Sequence, residues 1–117
     1  MRRDPPFRVA FFQTPAGNEP VREWLKDLSK EERTHIGEDI KTMQYRWPLG
    51  MPLVRSVGGG LFELRSNLPT RTARTLFFTC GTIIVLLHGF IKKTQQTPGE
   101  DLSLARKRKR NCHEILP

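Results

Sequence analysis

The chain has 117 residues, enough for one domain with a hydrophobic core of its own and no need of covalent staples. Hydrophobic residues make up 37% and charged residues 27%, which excludes a disordered or fibrous chain. The net charge of +8 is uneven: residues 1–50 hold 9 Lys/Arg against 8 Asp/Glu, and residues 51–117 hold 11 against 4.

An excess gathered in one half points to an anionic partner, either nucleic acid or an acidic protein segment; the plainer alternative is a solvated basic surface. Two cysteines, Cys80 and Cys112, give neither a disulfide framework nor metal-ligand spacing, so a reducing, cytoplasmic setting is expected. The longest apolar run, Ile83–Leu87, is too short to span a membrane. Arg2, Arg3 and Asp4 are not followed by an apolar stretch of secretory-signal length.

Phe7–Phe12 is short, aromatic and β-branched, and reads as a first strand closed by the turn residues Thr14–Asn18. A helix follows from about Glu19 to Leu28, with Asn18 as its expected cap. Val21, Trp24, Leu25 and Leu28 fall on one face of it. Ser29 opens a second helix with Glu32 at the capping-box spacing, an apolar stripe of Ile36, Ile40, Met43 and Trp47, and Pro48 as its stop. Leu53–Val57 and Leu61–Leu68 read as strands around Gly58-Gly59-Gly60. The triple glycine is a hairpin turn, or else a backbone cradle for phosphate, for which the Walker spacing is missing.

The stretch Thr72–Thr94 organises the rest. Two apolar runs, broken at Cys80-Gly81, form a hairpin with cations at its open end. Thr97-Pro98-Gly99-Glu100 has the form of a second capping box with proline at the first helical position. The helix it opens is acidic at its start, basic over Arg106–Arg110, and has a thin apolar seam of Leu102 and Ala105. The order β, α, α, several strands, α predicts an α+β fold. Its helices lie on one face of a mainly antiparallel sheet of four to five strands, and the other face is partly open.

Several segments carry a family resemblance: LFELRS, the ARTLFF strand, IVLLHGFIKKTQQTP and the closing ARKRKR helix. Together they resemble the RelE/ParE superfamily of type II toxins, and within it the HigB-like branch of phage-related proteins. The resemblance spans Phe7 to Arg110. It implies a ribosome-dependent mRNA endonuclease that needs no cofactor, contacts ribosomal RNA and is neutralised by a HigA-like helix-turn-helix antitoxin. It implies no membrane partner, and DNA contact only through the antitoxin.

By the same resemblance Arg65 and Arg74 hold the scissile phosphate, a task suited to the planar guanidinium fork. Replacing Arg74 with alanine is then expected to abolish toxicity and leave the fold intact. Lys92 and Lys93 fall where the family places cations after its last strand. Strand alternation turns only one of them into the site, and shared parity with His88 and Phe90 selects Lys92. Phe90 either stacks on a splayed base or packs in the core. His88 is either a proton-transfer group near neutral pH or a core histidine. Glu63 either accepts a proton or orients Arg65, and Arg71 belongs to the loop rim.

Arg106, Lys107 and Arg108, helped by Arg2, Arg3 and Arg8, suit ribosomal RNA backbone or form a solvated helix end. Some relatives place a tyrosine near the start of the last helix; here the only tyrosine is Tyr45, on the second helix. Two other classes fit the same fold: a ParE-like gyrase-inhibiting toxin and a non-catalytic RNA- or protein-binding module.

Overall fold

A computed structural model describes residues 4–93 and 97–112. Arg2, Arg3 and the Thr94–Gln96 part of the resemblance lie outside the described residues. The elements run β1 (Arg8–Phe11), α1 (Pro20–Lys26), α2 (Lys30–Arg46), β2 (Val54–Gly58), β3 (Leu61–Asn67), β4 (Thr72–Cys80), β5 (Ile83–Ile91) and α3 (Gly99–Asn111). The fold is α+β, with one five-stranded sheet in the order β1-β5-β4-β3-β2. β1 pairs with β5 in parallel and every other pairing is antiparallel.

Strand alternation divides the side chains between two faces. One face packs Val54, Leu64, Ala73, Phe77, Ile84 and Leu86 against Val21, Leu28, Ile36, Ile40 and Met43 of the helical hairpin. The rings of Trp47, Phe62 and Phe77 meet there at centroid distances of 4.9–5.7 Å. The opposite face packs Leu61, Leu76, Phe78, Val85 and Leu87 against Ala105 and Cys112, with Leu102 beside them. The expectation of helices on one face is therefore corrected. Leu61 and Leu76 leave a second apolar stripe, and α3 covers it with its own narrow seam.

α2 begins as its sequence indicates. The Ser29 hydroxyl accepts from the Glu32 amide (3.1 Å), and the Glu32 carboxylate accepts from the Ser29 amide (3.4 Å). The other two caps differ from expectation. Glu19, not Asn18, is the N-cap of α1, because Pro20 with its fixed φ takes the first helical position. Pro98 is the N-cap of α3, and no side chain caps that helix. Gly58, Gly59 and Gly60 all have positive φ in the β2–β3 turn, a conformation glycine adopts without Cβ strain. The turn is covered by Lys109, whose Nζ donates to the Gly59 carbonyl (3.1 Å).

Candidate active site

Below the apolar patch under α3, the same sheet face turns polar. Two rows of cross-strand neighbours build this region. In the first, Arg55 on β2 lies opposite Glu63 on β3, which lies opposite Leu76 on β4, which lies opposite His88 on β5. In the second, Arg65 lies opposite Arg74, which lies opposite Phe90. With adjacent strands about 4.8 Å apart, the second row sets two guanidiniums and an aromatic ring within about 10 Å of backbone. The Lys92 amide donates to the Thr72 carbonyl (2.8 Å), so the ladder continues one step past Ile91 and alternation keeps Lys92 on the face of Phe90.

Glu63 and Arg74 are completely buried. Arg74 lies 3.5 Å and Arg55 3.4 Å from the Glu63 carboxylate. The Thr97 hydroxyl donates to Glu63 Oε2 (2.5 Å) and accepts from Arg55 (3.0 Å) and Arg74 (3.3 Å). This explains the missing cap on α3: Thr97 points into the sheet and ties the start of the helix to the buried charges. Burial pushes the Arg74 guanidinium below its usual range. Glu63 opposes that push, and the neighbouring cations Arg55 and Arg65 add to it.

Glu63 therefore serves Arg55 and Arg74 and does not orient Arg65. Arg74 is sealed from solvent and is held by Glu63 and Thr97. Removing it alone leaves the buried Glu63 carboxylate with Arg55 and Thr97 as its remaining partners.

Arg65 is different. It is half-buried, and among the described residues no hydrogen bond or ion pair engages its side chain. It thus presents an uncompensated guanidinium beside a compensated one. His88 is 17% exposed; its Nε2 sits 2.5 Å from Asp101 Oδ1, and its ring stacks on Phe90 at 5.4 Å. It is neither a core histidine nor a solitary one. A bulge between Leu76 and Phe77 on β4, matched to His88 and Leu86 on β5, brings it to this face.

The remaining expected site residues lie elsewhere. Arg71 is exposed and gives a two-pronged hydrogen bond to Glu32 on α2 (2.8 and 3.0 Å), on the side of the helical hairpin. That bond holds the Glu32 carboxyl below its usual range and the Arg71 guanidinium above its own. Arg108 donates to the Leu87 carbonyl (2.8 Å) and lies over the Phe12 ring, so it anchors α3 to the sheet; burial lowers its pKa. Arg106 and Lys107 are exposed on α3. Lys93 is exposed at the end of β5.

A family model described as phage-derived, Gp49-like protein matches residues 23–110. The chain belongs to the Gp49-like family. That family is associated with the toxins of toxin–antitoxin systems, which suggests an antitoxin partner. A search of curated proteins finds no match. The span matched to the Gp49-like model runs from α1 through the strands to α3, so it includes every residue of the polar face.

Three members of that face escaped sequence reasoning. Arg55 sits in an unremarkable polar strand. Thr97 has the appearance of a cap, and Asp101 that of a dipole partner at a helix start. Only the sheet register and the return of α3 bring them to Glu63 and His88. Among the described residues of this Gp49-like chain, no helix is long and apolar enough to cross a membrane.

Proposed function

We propose that the chain is the toxin of a type II toxin–antitoxin pair, a HigB-like member of the RelE/ParE superfamily that cleaves mRNA on the ribosome. The supporting observation is the row Arg65–Arg74–Phe90. It places an unpaired guanidinium two strands from an aromatic ring on one sheet face, with the buried Arg74 between them and Lys92 on the same side. An arginine fork and an ammonium suit a phosphodiester, and an aromatic face suits an unstacked base.

In the reaction, the ribose 2′-oxygen attacks the adjacent phosphorus and the bond to the 5′-oxygen breaks. The products are a 2′,3′-cyclic phosphate and a 5′-hydroxyl. Arg65 and Lys92 touch the phosphate and offset the charge that builds on its oxygens. Arg74, compensated by Glu63, fixes the floor on which Arg65 stands. His88, with one ring nitrogen held by Asp101, is the group that exchanges a proton with the reacting oxygens. The ribosome supplies the alignment of the 2′-oxygen with the phosphate. The basic end of α3 contributes salt-sensitive contacts to ribosomal RNA, chiefly through the exposed Arg106 and Lys107. The reading places the protein in the cytoplasm and pairs it with a HigA-like helix-turn-helix antitoxin.

Mapping transcript 5′ ends after brief induction tests the proposal. Codon-phased 5′-hydroxyl ends should appear with the wild type and vanish with Arg65→Ala. A DNA-damage response over intact transcripts would overturn it in favour of a gyrase inhibitor.

A further inference from the structure

Beside the polar face lies a cavity of about 360 Å³ that the phosphate chemistry does not use. Trp24, Gly89, Phe90, Lys93, Glu100 and Asp101 contribute to its walls. It exists because β1 ends at Phe11, opposite Leu86, while β5 runs on to Ile91. The last turn of β5 thus has a strand neighbour on one side only. Lys92 bonds through its amide to β4, so ladder alternation turns the amides of Gly89 and Ile91 to the open edge. Trp24 of α1 packs against Gly89 so closely that a Cβ there would collide with the indole.

The cavity combines aromatic walls with one cation and two carboxylates. Asp101 is committed to His88. Among the described residues, no hydrogen bond or ion pair engages Glu100 or Lys93. A carboxylate is acceptor-only and takes two adjacent N–H donors side by side. Of the four RNA bases, guanine alone offers such a pair, N1–H with N2–H, on its Watson–Crick edge. Its O6 and N7 accept from a lysine. Adenine would set its N1 lone pair against a carboxylate oxygen.

We infer that this cavity is a guanine-binding subsite in which Phe90 and Trp24 hold the ring, Glu100 accepts from N1–H and N2–H, and Lys93 donates to O6. The subsite deepens the RNA-cleavage reading, and rests on it only for the source of the base.

Binding of free mononucleotides to the full chain, without ribosomes, tests the subsite separately from cleavage. Guanosine 5′-monophosphate should shift the Gly89 and Phe90 amide resonances and bind about tenfold tighter than adenosine or cytidine 5′-monophosphate. Glu100→Gln alters an exposed side chain, so it should keep the fold while erasing that preference, weakening guanosine monophosphate and not weakening adenosine monophosphate. The inference is overturned by equal affinities for the three nucleotides, by shifts confined to Arg106–Arg110, by no shifts at millimolar nucleotide, or by an intact preference in Glu100→Gln. If guanine binding is found but ribosomal cleavage is not, the nuclease reading fails and the subsite stands.

Discussion

The two faces of the sheet are made by the same strands and do opposite jobs. Toward α1 and α2, every inward position of β3 and β4 is apolar or small, and the Trp47–Phe62–Phe77 rings fill the space between. Toward α3, the same two strands carry Leu61, Leu76 and Phe78 at one end and Glu63, Arg65 and Arg74 at the other. Hydrophobic burial accounts for the first face and for half of the second. It does not account for a fully buried Glu63–Arg74 pair, since well-packed apolar residues commonly replace such a pair without loss of stability. The charged half of the second face is therefore best understood through what it can hold.

The largest expected effects come from breaking each face in its own way. Phe77→Ala empties the centre of the apolar face and should cost about 3–5 kcal/mol in denaturant unfolding. Glu63→Ala should cost a similar amount, about 3–5 kcal/mol, by removing the buried carboxylate that faces both Arg74 and Arg55. The double variant Glu63→Leu/Arg74→Met sharpens the contrast. It should regain near wild-type stability in the same titration and remain non-toxic on induction. A toxic, stable double variant would show that the buried charges serve neither role.

Gly89→Ala comes next. The added methyl collides with the Trp24 ring, and either the ring or the strand must move, at about 1–3 kcal/mol in thermal unfolding. Pairing it with Trp24→Leu should recover most of that loss.

The smallest effect belongs to Arg71, on the side away from the site. Its bond depresses the Glu32 carboxyl, so its contribution is present above the unfolded carboxyl pKa and is lost as pH falls through the folded one. Wild type and Arg71→Ala should thus differ slightly in melting temperature at neutral pH and converge in acid. Toxicity should be unchanged by Arg71→Ala.

Legibility in the sequence followed the same division. The apolar face was readable because period and burial agree: the stripes of α1 and α2, the Ser29–Glu32 box and the strand alternation all rest on local spacing. On the other face, alternation set Glu63 and Arg65 together, and parity linked His88, Phe90 and Lys92. What it could not supply was partnership across distance. Thr97 reaches Glu63 over 34 residues and Arg55 over 42, and no local pattern encodes either contact. A threonine three residues before an acidic one has the form of a cap wherever it stands. Here the buried carboxylate outcompeted the helix end for its hydroxyl. Arg74 was legible as a cation but not as a sealed one, because burial of a charge depends on what α3 covers.

Purified translating ribosomes give the most direct test of the account's central claim, that an unpaired Arg65 on a compensated floor acts on RNA phosphate. Wild type and Arg65→Ala should melt together, because Arg65 has no partner to lose. The wild type should cut mRNA to 5′-hydroxyl ends at least a hundredfold faster, by roughly the 2.7 kcal/mol or more that the loss of one charge-stabilising donor costs. Equal cleavage by the two proteins, or none by either, would contradict it.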